Sequence, residues 1–139
     1  MDDHELLSAL ASVPVTILNG TAVCQIGNTC FPEWKVVIAA AGVNFYYDDG
    51  TSDVDGPRPV NLYAGQRANF VSKRANGCVK RMYVAMTVVI PNEGSKTMTT
   101  DITDVGPNEC MSSRGVSVGP KNSYLVGESL SDRLKISIN

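Results

Sequence analysis

Apolar residues in this chain recur mostly at every second position, the period of a strand with one buried face. The clearest run is Cys78 to Ile90. There Met82, Val84, Met86, Val88 and Ile90 fall on one face, and Arg81, Tyr83, Ala85 and Thr87 on the other. Val13, Val15 and Ile17 alternate with Pro14, Thr16 and Leu18, and Leu134, Ile136 and Ile138 alternate with Arg133, Lys135 and Ser137. The pattern predicts strands over 13–18, 21–27, 34–47 (with Gly42 as the place where it could break), 59–64, 67–74, 78–90, 96–104, 115–119, 123–127 and 133–138. Residues 2–12 depart from it: Leu6, Leu7 and Leu10 share a helical face, Asp2 or Asp3 supplies the cap, and Pro14 ends the helix.

The turns agree with this reading. Asn19-Gly20 and Asn76-Gly77 separate alternating runs and read as hairpin turns, because both residue types tolerate positive φ. Asp49-Gly50 and Pro91-Asn92-Glu93-Gly94 mark two more turns. Eight to ten short, hairpin-connected strands predict an all-β chain, an antiparallel β-sandwich with a short N-terminal helix. Nothing resembles a βαβ unit or a linker, and 139 residues suit one domain over 1–139.

Charge changes the picture. Residues 1–56 hold eight acids and one base, whereas residues 57–92 hold six bases and no acid. The expected 72–81 hairpin would place Lys73, Arg74, Lys80 and Arg81 on arms about 5 Å apart, a cluster able to grip phosphate or sulfate. Tyr46 and Tyr47 precede the acidic segment Asp48-Asp49-Gly50-Thr51-Ser52-Asp53-Val54-Asp55-Gly56, and exposed aromatic rings beside polar loops suit glycans or lipid headgroups. Asp48, Asp49, Asp53 and Asp55 in a Gly-rich loop are candidate ligands for calcium, although the EF-hand spacing is not met. The plainer reading of both regions is a solvated turn and a hairpin whose cations protect a sheet edge.

Cys24, Cys30, Cys78 and Cys110 allow three pairings. The Cys24-x5-Cys30 spacing points to a small disulfide loop, which would place the chain outside the cell or in a virion; the alternative is four buried, reduced thiols. The acidic N-terminus is unlike a secretory signal, and no run nears the ~20 apolar residues of a membrane-spanning helix, so a soluble chain without a signal peptide is expected. Asn19-Gly20-Thr21 is a formal glycosylation sequon, accessible if it lies in a hairpin turn.

Catalysis finds little to build on. The one histidine, His4, lies near the terminus, and no phosphate loop, nucleophile elbow or dinucleotide fingerprint occurs. The expectation is therefore a non-enzymatic recognition module, lectin-like, that needs no cofactor beyond the calcium ion its aspartates could hold. It would bind a glycan, an anionic lipid or another polyanionic surface, with nucleic acid a weaker candidate. A second reading is a structural subunit of a homo-oligomeric assembly of capsid or phage-tail type, joined by acidic-loop to basic-hairpin contacts. A third is a small hydrolase using Glu33 with a carboxylate from Asp48 to Asp55.

Three fragments resemble aegerolysins, small acidic β-sandwich proteins that bind membrane lipids and help partner proteins form pores. They are Phe45-Tyr46-Tyr47-Asp48-Asp49-Gly50, the stretch from Ala64-Gly65-Gln66 towards Ser72-Lys73-Arg74, and Pro91-Asn92-Glu93-Gly94-Ser95-Lys96-Thr97. The resemblance implies a β-sandwich and a lipid-facing role.

Overall fold

The structure, a computed structural model, describes residues 12–22, 32–121 and 125–139. The body of the helix expected over 2–12, most of the strand expected over 21–27, and the Cys24 and Cys30 pair lie outside the described residues.

Strands dominate what is described: β1 (Pro14–Asn19), β2 (Val37–Tyr47), β3 (Ser52–Leu62), β4 (Arg67–Val71), β5 (Val79–Ile90), β6 (Gly94–Ile102), β7 (Arg114–Pro120) and β8 (Leu134–Ile138). They form two four-stranded sheets, ordered β4-β1-β7-β8 and β3-β2-β5-β6. The long strands are where β-branched and aromatic residues concentrate, and on β5 the alternation read from the sequence matches the burial. On β5, Met82, Val84, Met86, Val88 and Ile90 are buried, while Arg81, Tyr83, Ala85 and Thr87 are half-buried. The strand expected over 34–47 is continuous from Val37, and Gly42 bends it without breaking it, beside a register shift between Ala41 and Val43. A Cβ on Gly42 would lie 2.9 Å from the Pro57 Cα, so β3 can approach β2 this closely only at a glycine. Residues 125–127 are a turn and not the end of a strand.

One hydrophobic cluster draws from both sheets: Val15, Ile17, Phe70, Val116 and Val118 from the first, Ile38, Val43, Phe45, Met82, Val84 and Met86 from the second. Trp34 packs against it part-buried.

Two expected turns are real hairpin turns. Asp48–Thr51 joins β2 to β3, with Gly50 at φ 83°, and Pro91–Glu93 joins β5 to β6, with Asn92 at φ 67° and Gly94 at φ 82°. The two Asn-Gly turns are not hairpins. β1 pairs with β4 and β7, the latter in parallel, so the chain leaves β1 at Gly20 for the other sheet. The antiparallel expectation therefore fails at this one pair.

Asn19 is fully buried. Its side-chain amide donates to the Val36 and Leu62 carbonyls at 2.8 and 2.9 Å, and its oxygen accepts from the Thr21 amide and hydroxyl at 3.2 and 2.7 Å. The residue ties the first sheet to the entry of β2 and the exit of β3, which overturns the expectation of an accessible sequon. Gly77 is likewise not at positive φ. A Cβ there would sit 2.3 Å from the Tyr47 ring, so glycine is needed for close approach and not for a turn. Both Asn-Gly pairs obey packing demands that two-residue turn statistics do not contain.

The two sheets are stitched along both sides. On one, Asp55 on β3 accepts from the Val71 amide at 2.9 Å, and Arg58 donates to the Asn69 carbonyl at 2.6 Å, so β3 side chains satisfy groups on the free edge of β4. Arg58 also lies 4.0 Å above the Phe70 ring. On the other, Glu93 accepts from the Leu130 amide at 3.0 Å, and Lys96 donates to the Ser131 carbonyl at 3.2 Å.

Candidate functional site

The expected basic hairpin does not form. β4 ends at Val71 in one sheet and β5 begins at Val79 in the other, and residues 72–78 carry the chain between them. The reason is in the packing. Ser72 is buried with its hydroxyl accepting from the Val13 amide at 2.8 Å, and Gly77 lies on Tyr47, so the segment is held against two different layers.

The four cations consequently part company. Lys73 is exposed. Arg74 reaches the acidic turn, 3.0 Å from an Asp49 oxygen, with its guanidinium 4.4 Å above the Tyr47 ring. Lys80 folds back onto the carbonyls of Gly106 and Pro107 at 3.1 and 2.8 Å and onto that of Glu109. Arg81 makes a two-pronged contact with Asp101, its Nε and Nη2 at 2.8 and 2.7 Å from the two carboxylate oxygens. Of the four, Arg74 alone forms an ion pair with the acidic segment, and that pair lies within one chain.

The aspartates are similarly engaged. Asp49 accepts from the Thr51 amide at 3.0 Å and its hydroxyl at 2.5 Å, and these donors, with Arg74 behind them, lower its pKa to about 2. Asp53 accepts from the Tyr47 hydroxyl at 2.5 Å and the Arg74 amide at 3.3 Å. Burial first, and then that carboxylate, push the Tyr47 phenol up. Asp55 is paired with Arg58 at 2.5 Å, and Asp48 is exposed at the turn. Among the described residues no three His, Cys, Asp or Glu side chains gather as a metal site would require.

Cys78 and Cys110 are joined, which confirms a disulfide for that pair. The bridge, the Lys80 contacts and a bond from the Met111 amide to the Val79 carbonyl at 2.8 Å fasten the 103–113 connection to the start of β5.

Of the six expected ligand-binding residues, the structure brings two together on an outward face. Tyr46 on β2 and Arg81 on β5 are cross-strand neighbours, with the guanidinium 4.6 Å above the ring. The buried Tyr47 belongs to the opposite face. Next to Tyr46 and Arg81 lie residues that charge and turn patterns did not single out: Asn44 opposite Tyr83, and Asp101 opposite Tyr83 on β6. Their signal was the outward half of the strand alternation, Arg81-x-Tyr83 on β5 and Asn44-x-Tyr46 on β2. The contact raises the Arg81 pKa and lowers that of Asp101, each through the hydrogen bonds to the other. The cluster adjoins a shallow depression of about 90 Å³ lined by Ala40, Ala41, Pro57, Ala85, Met86, Thr87 and Thr97. Small residues make the basin: Gly42 faces Ala85, and Ala40 faces Thr87.

Among the described residues no helix is long and apolar enough to cross a membrane. No family model and no curated protein matches the sequence. Solved structures of a Gram-negative toxin, of pneumolysin and of the human-specific toxin intermedilysin superpose with TM-scores of 0.45, 0.46 and 0.44, at 11%, 12% and 10% identity. Each superposition covers 92% of this chain and 23% of the other, so the chain spans under a quarter of the length of the proteins it is similar to.

Proposed function

We propose that the chain is a non-enzymatic recognition module of β-sandwich type that takes a neutral, glycan-like ligand on the outer face of β2, β5 and β6. The observation that carries this reading is the grouping of two tyrosine rings, Tyr46 and Tyr83, around an Arg81–Asp101 pair on a sheet face. A sugar ring offers a C–H face that stacks on an aromatic side chain and hydroxyls that bond to amide, carboxylate and guanidinium groups. Asn44, Asp101 and Arg81 are those groups, and the adjoining basin gives a second residue of an oligosaccharide somewhere to rest. Asp101 matches the charge of Arg81, which favours a neutral ligand over a polyanion. The polyanion reading relied on a hairpin tip that does not exist.

The test is a screen of neutral and anionic oligosaccharides against the intact chain, followed by titration of Tyr83→Ala, Arg81→Ala and Thr97→Ala. Loss of a stacked ring or of the guanidinium is expected to weaken binding about 10-fold or more. A saccharide bound equally by all three variants would place the site elsewhere, and no saccharide bound at all would reject the reading.

A further inference from the structure

A strand at the edge of a sheet presents a row of open amides and carbonyls, and proteins as a rule blunt it. Four strands stand at edges here: β4 and β8 in one sheet, β3 and β6 in the other. Three of them are blunted. β4 has five residues, and its Val71 amide and Asn69 carbonyl are taken by Asp55 and Arg58. β3 carries Pro57 and Pro59, which have no N–H to offer, and its register with β2 shifts twice. β8 is also only five residues long.

β6 has none of these devices. It pairs with β5 over nine consecutive positions, Gly94 to Ile102, without a register shift and without a proline. The bonds that tie the two sheets on this side use the Glu93 carboxylate and the Lys96 ammonium. Among the described residues, no group outside β5 bonds to the β6 main chain. Charged side chains can guard such an edge, but both of those on β6 are engaged, Lys96 with the Ser131 carbonyl and Asp101 with Arg81.

We propose that β6 pairs antiparallel with β6 of a second copy of this chain, joining two four-stranded sheets into one of eight. The strand's own sequence names the occupant. A two-fold axis perpendicular to the sheet keeps paired side chains on one face, and full overlap of Gly94–Ile102 centres that axis on Met98. On the outward face this register sets Thr97 against Thr99 and Ser95 against Asp101, each twice, and on the inward face Lys96 meets Thr100. No charge faces its like, and hydroxyl pairs of this kind are favourable across strands. Nine paired residues form about 8–10 main-chain bonds, as many as a standard interface carries, over less than its roughly 800 Å² per partner. The dimer is therefore exact in register but readily reversible. It is also closed, because the pairing uses up the β6 edge of both copies.

Ser95 is the residue to alter, because it is exposed and comes opposite Asp101 only in the dimer. The experiment is sedimentation velocity of the full chain at low salt, from about 1 μM to about 1 mM, for the unaltered chain, Ser95→Lys and Ser95→Asp. The unaltered chain dimerises reversibly within that range. Ser95→Lys, which sets a cation against each Asp101, tightens the dimer about 5-fold, and Ser95→Asp, which sets like charges there, weakens it about 5-fold. Unchanged melting temperatures show that neither variant acts through the fold of the monomer. A chain that stays monomeric throughout overturns the proposal, and so does growth beyond two copies, which a closed edge pair forbids. Dimers equally stable in all three proteins overturn it too, by placing the contact away from β6.

Discussion

Asn19 offers the sharpest test of how the sheets are held together. Replacing it by Leu keeps the branched outline of the side chain, with bulkier methyl ends, but removes two donors and one doubly used acceptor, leaving the Val36 and Leu62 carbonyls and the Thr21 amide and hydroxyl without their partner. The hydroxyl can rotate to another acceptor, so three orphaned groups count. At about 1–3 kcal/mol each the sum starts near 3 kcal/mol, and partial relaxation keeps the expected loss at about 3–5 kcal/mol. Against a total stability of roughly 5–15 kcal/mol that is a large fraction. Urea unfolding followed by Trp34 fluorescence measures it, with an unchanged m-value showing that the two-state transition survives. Asn19→Asp sharpens the test through pH. The new carboxylate would be buried against two carbonyl oxygens, so its folded pKa rises above the unfolded value of about 3.9. Its stability is then greatest below about pH 4 and falls as the pH rises towards the folded value. A loss below about 1 kcal/mol in Asn19→Leu, or a flat pH profile in Asn19→Asp, would refute the account of Asn19 as a buried tie.

Other outcomes follow from the same physics. Asp49 is expected to titrate at about 2, and Thr51→Ala, which removes its strongest donor, should return the midpoint towards about 3.9; a carbon-detected titration that shows no shift rejects this. Because that pKa is depressed by folding, the group's contribution is full above about pH 3.9 and fades as the pH falls to about 2. The paired Cys78→Ser and Cys110→Ser change opens a bridge with a sequence separation of 32, which chain entropy values at about 3–4 kcal/mol; a loss under about 1 kcal/mol in denaturant unfolding would mean that Lys80 and the Met111–Val79 bond hold the 103–113 connection unaided. Gly77→Ala must displace the buried Tyr47 ring and should cost about 1–3 kcal/mol, read as a lowered melting temperature; an unchanged melt would show that the ring can yield freely.

The fold was legible where one rule decided the outcome. Period-two alternation located the inward faces of β1 and β5, because a strand that buries one face must place its apolar residues on alternate positions. Turns that close on themselves, at Asp49-Gly50 and Pro91–Gly94, were legible for the same reason: positive φ is a local demand. The partner of a strand is not local. Asn19-Gly20 and Asn76-Gly77 carry the same local signal, yet each lies where the chain crosses between sheets, and only Val36, Leu62 and Tyr47, distant in sequence, explain why those residues are there. The candidate site followed suit. Tyr46 and Arg81 were named from the sequence for separate reasons, whereas Asp101 and Asn44 became relevant only through their registers with β5. Of the charges in the two blocks, only Arg74 and Asp49 join the 72–81 and 48–55 segments, and that contact depends on the path of residues 72–78.

The parallel pairing of β1 with β7 has a consequence for how the protein is made. Sheet β3-β2-β5-β6 can assemble from two hairpins, β2–β3 and β5–β6, whose strands all precede Arg114, but β1 waits for a strand that begins there. At a synthesis rate of roughly 5–20 residues per second, β1 spends about 5–20 s on the ribosome before its second neighbour emerges. Through that interval Val15 and Ile17 belong to a strand with an open flank. The nascent chain is then at its most adhesive, so a ribosome that stalls between β4 and β7 would release an aggregation-prone half-sheet.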